Sequence, residues 1–364
     1  MTKSVYVTRP NSPDRDKLYA YLDGVLDRRL FTNEGPLVQE LTKRLESFLG
    51  VKNLLLVSSG TMALDVANKV SGVGSEVYTT PFSFPATSSI LCWRGTKPRY
   101  VDISYDSFNL DENLLDQALG SKECAVLATH VFGNPCHVEA FDKLAKDYSV
   151  PLVYDAAHAF GTEVGNQSIL NFGDVSILSF HATKVFNTLE GGALVIRDDE
   201  RYESAKRLIN FGLGNQGVPI EVGLNGKMNE FQAAVGLCLL DDIDQILRAL
   251  EENRAIYDLY LSNELKRQII HPECGGTNNG YVPICFPTTE ALLRAVTKLE
   301  EFGVYGRRYF YPSLDTVAVY GGQANCSVSQ DIASRVFCLP TYVGLAQEKI
   351  EEICFHVNAA LEVS

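Results

Sequence analysis

Short apolar runs recur along this chain between helical patterns, and that alternation most constrains how the chain can fold. The runs lie at 53–57, 76–80, 99–103, 125–129, 151–154, 175–180 and 193–197, each the length of a buried strand. Helical spacings separate several of them. Leu37, Leu41, Leu45 and Leu49 follow Pro36, Ala63, Leu64, Val66, Ala67 and Val70 follow a Ser-Ser-Gly-Thr turn, and Phe141, Leu144 and Ala145 share one side of 138–148. Strands and helices in this order predict an α/β fold with a mostly parallel sheet covered by helices on both faces.

From Met228 the character changes. Phe231, Val235, Leu239, Ile243, Ile246 and Leu250 predict one long amphipathic helix. After it come a strand at 281–286, a helix at 290–302, a strand at 304–310 and a last helix carrying Ile350, Ile353, Cys354, Val357 and Leu361. A chain of 364 residues suits two domains, here a large one at 1–245 and a smaller α+β domain at 246–364. Residues 274–280 are loop-like in composition.

Composition narrows the partners. With 32 basic and 45 acidic residues the net charge is −13, which argues against a nucleic-acid binder. No apolar run nears the roughly 20 residues of a membrane helix, and the first residues lack a signal-peptide core. The nine cysteines contain no C-x-x-C pair, so they read as buried thiols of a cytoplasmic protein. The six histidines show no metal-ligand spacing, and no metal is expected.

Ligands of an open parallel sheet collect at the carboxyl ends of its strands, which directs attention to three places. Ser59-Gly60-Thr61-Met62 opens a helix whose free N–H groups suit a phosphate, although a plain N-cap reads the same. Asp155 ends an apolar run, either as a helix cap or as the partner of a cation. Lys184 sits between two apolar runs, either as a surface loop residue or as a chemical amine. Together they are the three groups that pyridoxal phosphate requires: an anchor for its phosphate, a carboxylate for its ring nitrogen and an amine for its aldehyde.

Eight strings then occur in a recognisable order: T-N-E-G-P at 32–36, S-S-G-T-M-A-L at 58–64, P-F-S-F-P-A-T at 81–87, V-D-I at 101–103, H-V-F-G-N-P-C at 130–136, Y-D-A-A-H-A-F-G at 154–161, S-F-H-A-T-K-V-F-N-T-L-E-G-G at 179–192 and G-L-N-G-K-M-N-E-F-Q-A-A at 223–234. Over essentially its whole length the chain resembles the DegT/DnrJ-type sugar aminotransferases, a branch of the fold-type I pyridoxal phosphate enzymes. The resemblance implies that Lys184 is the catalytic lysine, and that Asp155 faces the pyridine nitrogen. It also implies that His158 lies near the ring's 3-oxygen and Phe84 against the ring face, with Gly60, Thr61, Met62 and Ser179 at the phosphate. Relatives with His in place of Lys184 act as dehydratases, so Lys184 favours transamination.

Asn225 matches a residue that reaches the phosphate from a neighbouring subunit, which implies a homodimer with shared active sites. Lys227 would then face the substrate diphosphate. Arg307, Arg308, Tyr309 and Tyr311 form a further candidate substrate cluster, read equally well as a solvated strand edge, and Arg335 resembles a position near the sugar. The string around Lys184 looks most like enzymes that aminate C4 of dTDP-4-keto-6-deoxyglucose with L-glutamate as donor, for surface polysaccharide and O-antigen synthesis. The R-R-L-F-T-N-E-G-P string departs from the commoner W-L-T-N-N-G-P, with Phe31 for Trp and Glu34 for the second Asn. Alternatives are a C3 aminotransferase, a dehydratase on the same scaffold and a non-catalytic regulatory relative.

Overall fold

A computed structural model describes residues 4–120, 124–322 and 324–361. The chain opens with β1 (Val5–Tyr6), α1 (Arg15–Arg28) and α2 (Pro36–Leu49). The expected alternation follows: β2 (Leu54–Val57), α3 (Gly60–Val70), β3 (Glu76–Thr79), α4 (Pro85–Trp93), β4 (Lys97–Tyr100), α5 (Glu112–Ala118), β5 (Cys124–Thr129), α6 (Val138–Tyr148) and β6 (Leu152–Asp155). A small hairpin, β7 (Glu163–Val164) and β8 (Gln167–Ser168), leads to β9 (Val175–Ser179), β10 (Gly192–Ile196) and α7 (Asp199–Leu208).

Seven of these strands form one sheet in the order β2-β10-β9-β6-β5-β3-β4, and within it β10 alone runs antiparallel to its neighbours. Successive side chains of a strand point to opposite faces, and both faces are buried. Leu54, Leu56, Val126, Ala128, Leu152 and Tyr154 join the core beneath α2, α6 and α8 (Glu230–Asp241). Leu55, Val57, Ala125, Leu127, Val153 and Ile177 join the opposite core, beneath α3, α4 and α7. This is why the strands read as unbroken apolar runs.

The expected long helix is two helices, α8 and α9 (Ile243–Tyr260), joined at Asp242. The turn is held from outside: Asp241 pairs with Arg44 at 2.6 Å and Lys17 at 3.2 Å, on α2 and α1. Leu239 and Ile243 keep a four-residue spacing across the break, so periodicity cannot reveal it. Ile243, Ile246 and Leu250 serve the first core. Tyr257 belongs to another, built with β11 (Val282–Cys285), α10 (Thr289–Glu301), β13 (Val336–Leu339) and α12 (Gln347–Ala359), while α11 (Ser327–Arg335) gives Ile332 and Ala333 to a further cluster with Phe82, Phe132 and Phe310. The expected strand at 304–310 shrinks to β12 (Val304–Tyr305), parallel to β1. Beyond it only Arg307 bridges Cys338.

One buried carboxylate shapes the entrance to α2. The fully buried Glu230 accepts hydrogen bonds from Leu37 N–H at 3.1 Å and Val38 N–H at 2.9 Å, satisfying donors that have no intrahelical partner. Gly35 makes room for it, because a Cβ there would lie 2.5 Å from Glu230 Cδ. Glu230→Ala should therefore cost about 2–4 kcal/mol by leaving two helix N–H groups unpaired beside a cavity, read as a lowered urea midpoint. A midpoint within 0.3 M of wild type, at about 2 kcal/mol per M, would refute this role for Glu230.

Candidate active site

The site grows from the end of the sheet where β2, β6 and β9 all finish. Gly192, the first residue of β10, is the register partner of both Val57 and Ser179, so it lies between the carboxyl ends of β2 and β9. A Cβ on Gly192 would fall 2.7 Å from Ser59 carbonyl carbon, and one on Gly60 would fall 2.8 Å from Ser179 Cβ. Two glycines thus let the first turn of α3 close against the end of β9. Ser59 caps α3 by accepting the Met62 N–H at 3.1 Å, which leaves the Gly60 and Thr61 N–H groups without intrahelical partners. Gly60, Thr61, Met62 and Ser179 therefore share one small cradle with the positive end of a helix dipole, which suits a phosphate.

Asp155 closes β6 and is 5% exposed. Its carboxylate accepts the Thr87 hydroxyl at 3.1 Å and the Ala157 N–H at 3.1 Å. Burial pushes its pKa up against these two bonds and the field of Lys184. Such a group gains from a protonated nitrogen placed against it. Thr87 stands in the first turn of α4, the helix headed by Phe84, whose ring is half exposed.

Lys184 lies in the loop after β9, part-buried, with Nζ donating to Tyr281 Oη at 3.0 Å. Desolvation pushes its pKa down to about 8, and the charge of Asp155 opposes the shift. An amine so tuned passes between its free and protonated forms near neutral pH. Tyr281 is held from both sides: its ring meets His158 at 4.3 Å and Tyr309 at 5.9 Å. His158 accepts the Phe132 N–H on Nδ1 at 3.3 Å, and burial pushes its pKa well below the usual imidazole range, so the ring is neutral with its proton on Nε2.

Tyr281 was not singled out in the sequence, yet a signal lay beside it. In the loop-like stretch before it, buried Asn278 donates to the carbonyls of His158 at 2.9 Å and Phe160 at 3.0 Å and accepts the Gly280 N–H at 3.0 Å. The loop is a clamp that sets Tyr281 against the Asp155-to-His158 segment. Thr87 was likewise missed, because nothing in its neighbours marks it as the partner of a carboxylate 68 positions away.

The remaining candidates divide. Asn225 is exposed on a segment that runs beside β2, where Gly226 carbonyl accepts the Ser58 N–H at 2.8 Å and Lys227 bridges Val57. Lys227 Nζ is engaged by Asn210 Oδ1 at 2.9 Å and lies 5.3 Å from the Phe211 ring centroid. Tyr309 joins the Tyr281 cluster, with the Arg307 guanidinium 4.8 Å from its ring centroid. Arg308 turns elsewhere, donating to Ser334 carbonyl at 2.8 Å with its guanidinium 3.7 Å from the Tyr311 centroid. Arg335 is occupied by Asp331 and by Phe286 carbonyl at 2.6 Å, and no described contact ties it to Lys184 or Asp155. Pyridoxal phosphate fits the central set: a helix-end cradle for its phosphate, a buried carboxylate for its ring nitrogen and a desolvated amine for its aldehyde.

Residues 14–358 match the DegT/DnrJ/EryC1/StrS aminotransferase family. A dTDP-4-amino-4,6-dideoxy-D-glucose transaminase of Shigella dysenteriae is 38% identical over 359 residues, covering 97% of this chain and 98% of that protein. The Escherichia coli protein of the same name is 34% identical over 364 residues, covering 96% and 97%. The crystal structure of DesI in the presence of its TDP-sugar product superposes with a TM-score of 0.93 at 31% identity, covering all of this chain and 94% of that one.

Proposed function

The chain belongs to the DegT/DnrJ/EryC1/StrS aminotransferase family, and on that premise we propose that it aminates C4 of dTDP-4-keto-6-deoxy-D-glucose with L-glutamate as donor. The products are dTDP-4-amino-4,6-dideoxy-D-glucose and 2-oxoglutarate. The observation that carries the reading is the convergence of Lys184, Asp155 and the α3 cradle at one end of the sheet, in a chain whose relatives bear that transaminase name.

Pyridoxal phosphate, when bound, supplies an aldehyde that condenses with amines and a ring that withdraws electrons from the carbon bearing nitrogen. The chain's own residues do the rest. The Gly60 and Thr61 N–H groups and Ser179 would hold the phosphate, and Asp155 would face the ring nitrogen and favour its protonated form. Lys184 Nζ, with a pKa near 8, both takes and returns the proton on the substrate carbon. Neutral His158 offers a donor from Nε2.

A homodimer with shared sites is part of the proposal. Exposed Phe211, Val218, Ile220 and Val222 lie on the stretch that leads to Asn225 and pairs with it through Asn210, and they support its burial by a second copy. A hybrid of Lys184→Ala and Asn225→Ala subunits should regain activity that neither homodimer has. No described helix is long and apolar enough to cross a membrane, and thiols such as Cys136, Cys238 and Cys338 are buried and unbridged, which supports a cytoplasmic setting.

The decisive assay incubates the holoenzyme with glutamate and the 4-keto sugar nucleotide and identifies the product by NMR. An amine at C4 with stoichiometric 2-oxoglutarate is expected. Deoxygenated sugar without glutamate consumption, or turnover only of a 3-keto sugar, would overturn the reading.

Tyr281 is a positioning residue for Lys184. Its oxygen accepts from Nζ and so favours the protonated amine; without it the pKa of Lys184 should fall further. Tyr281→Phe should move the pH at which Lys184 reacts with an amine-directed label to lower values and reduce kcat about tenfold. An unmoved labelling midpoint would leave Tyr281 with a packing role only.

A further inference from the structure

Outside the aminotransferase site, a second cluster has the composition of a metal centre. We propose that His137, Glu139 and His271 bind one divalent transition-metal ion of the zinc class, which pins the segment entering β11 to the head of α6. One ligand atom from each residue lies within 4.8 Å of the other two. The two imidazole rings are 5.3 Å apart at 67°, and His271 Nε2 lies 3.7 Å from Glu139 Oε2. A modest contraction around a cation brings three such atoms to coordination distance, and two imidazoles with a carboxylate are a zinc-type donor set that leaves a position for water.

Two independent features point to a ligand. The His271 side chain is 5% exposed, and its Nε2 is buried with no hydrogen-bond partner, while the ring faces the other two residues. Glu112 Oε1 lies 3.0 Å from His137 Nδ1; a proton held there leaves the His137 Nε2 lone pair free, which is the arrangement of a carboxylate behind a metal-bound histidine. One contact opposes loading: Glu273 N–H reaches His271 Nδ1 at 3.3 Å, and coordination through Nε2 moves a proton onto Nδ1 and gives up that long bond. A coordinate bond to a buried donor outweighs it.

The frame is already built. Asn134 donates to Ile269 carbonyl at 2.9 Å and accepts the His271 N–H at 3.0 Å, so the two segments meet without the ion. The ligands come from the first turn of α6 and from a loop far away in sequence, which is why no spacing motif announces them. Metal here adds stability to the connection that positions Asn278 and Tyr281.

The test uses holoenzyme freed of metal by a chelator and titrated with Zn²⁺ or Co²⁺ in a calorimeter, with thermal melting alongside. One ion per chain, a dissociation constant of micromolar order and a melting temperature that rises with ion concentration are expected. The exposed His137 can be replaced without disturbing a core. His137→Ala and His271→Gln should each weaken binding at least tenfold, and Glu112→Gln about tenfold through His137. No saturable binding at about 100 times the micromolar range, or binding unchanged in His137→Ala, would overturn the proposal. Transamination by His137→Ala should stay within about twofold of wild type, which separates this site from the aminotransferase reading.

Discussion

Lys184→Ala should remove transamination almost completely, leaving less than about one part in 10³ of the wild-type kcat. No other described amine contacts Tyr281, so nothing replaces the nucleophile or the proton carrier. The loss should not come from unfolding. Removing a desolvated ammonium relieves up to about 3 kcal/mol, since its pKa falls from 10.5 to about 8. Against that stands a newly unpaired, part-buried Tyr281 hydroxyl, costing about 1–3 kcal/mol, so the two nearly cancel. The pH dependence is specific. A lysine with a depressed folded pKa binds fewer protons in the native state, so its penalty is full below about pH 8 and fades as pH rises toward 10.5. The stability difference between wild type and Lys184→Ala should therefore shift in favour of wild type across that window in chemical melts. A difference flat from pH 7 to pH 10.5, or residual activity above about one per cent, would contradict this account of Lys184.

Asp155→Asn should lower kcat by about 10²–10³ while leaving the protein without cofactor as stable as wild type or more so. The isosteric amide keeps both neighbours: its oxygen accepts the Ala157 N–H, and its NH₂ donates to the Thr87 hydroxyl. What it lacks is the charge. Because burial raises the Asp155 pKa, the carboxylate is a cost to the native state that grows as pH rises through its folded value, and a protonated ring nitrogen offsets that cost. Cofactor affinity should then fall about 10- to 100-fold, read by fluorescence quenching. If Asp155→Asn instead lost stability without cofactor and kept its kcat, Asp155 would be a structural cap only.

The strand ends were legible because a sheet buried on both faces writes each strand as a continuous apolar run, and the first polar residue after the run falls at the ligand edge. Asp155 and the Ser59-to-Met62 turn are candidates on that ground, and Lys184 is one as a cation between two apolar runs. Thr87 and Tyr281 were not. Thr87 is one polar residue in an otherwise ordinary helix, and Tyr281 opens an apolar run that reads as core. The Asp242 break is illegible in the sequence because the apolar spacing runs through it, while the pairs that Asp241 makes beside it are with Arg44 and Lys17 on other helices. Arg308 is a candidate as a cation and Arg335 by resemblance to a position near the sugar, but a guanidinium's destination depends on which carbonyls and carboxylates lie within its reach, and here those are Ser334, Asp331 and Phe286.

By itself the sequence determined the α/β class, the candidate residues at the strand ends, and the family whose strings it shares. These depend on local periodicity and on residue types next to each other in the chain. Tertiary structure alone decided that Gly192 lets the α3 turn reach Ser179, that Tyr281 holds Lys184, and that His137 meets His271. Each is a contact between segments distant in sequence, set by how the sheet and its loops pack.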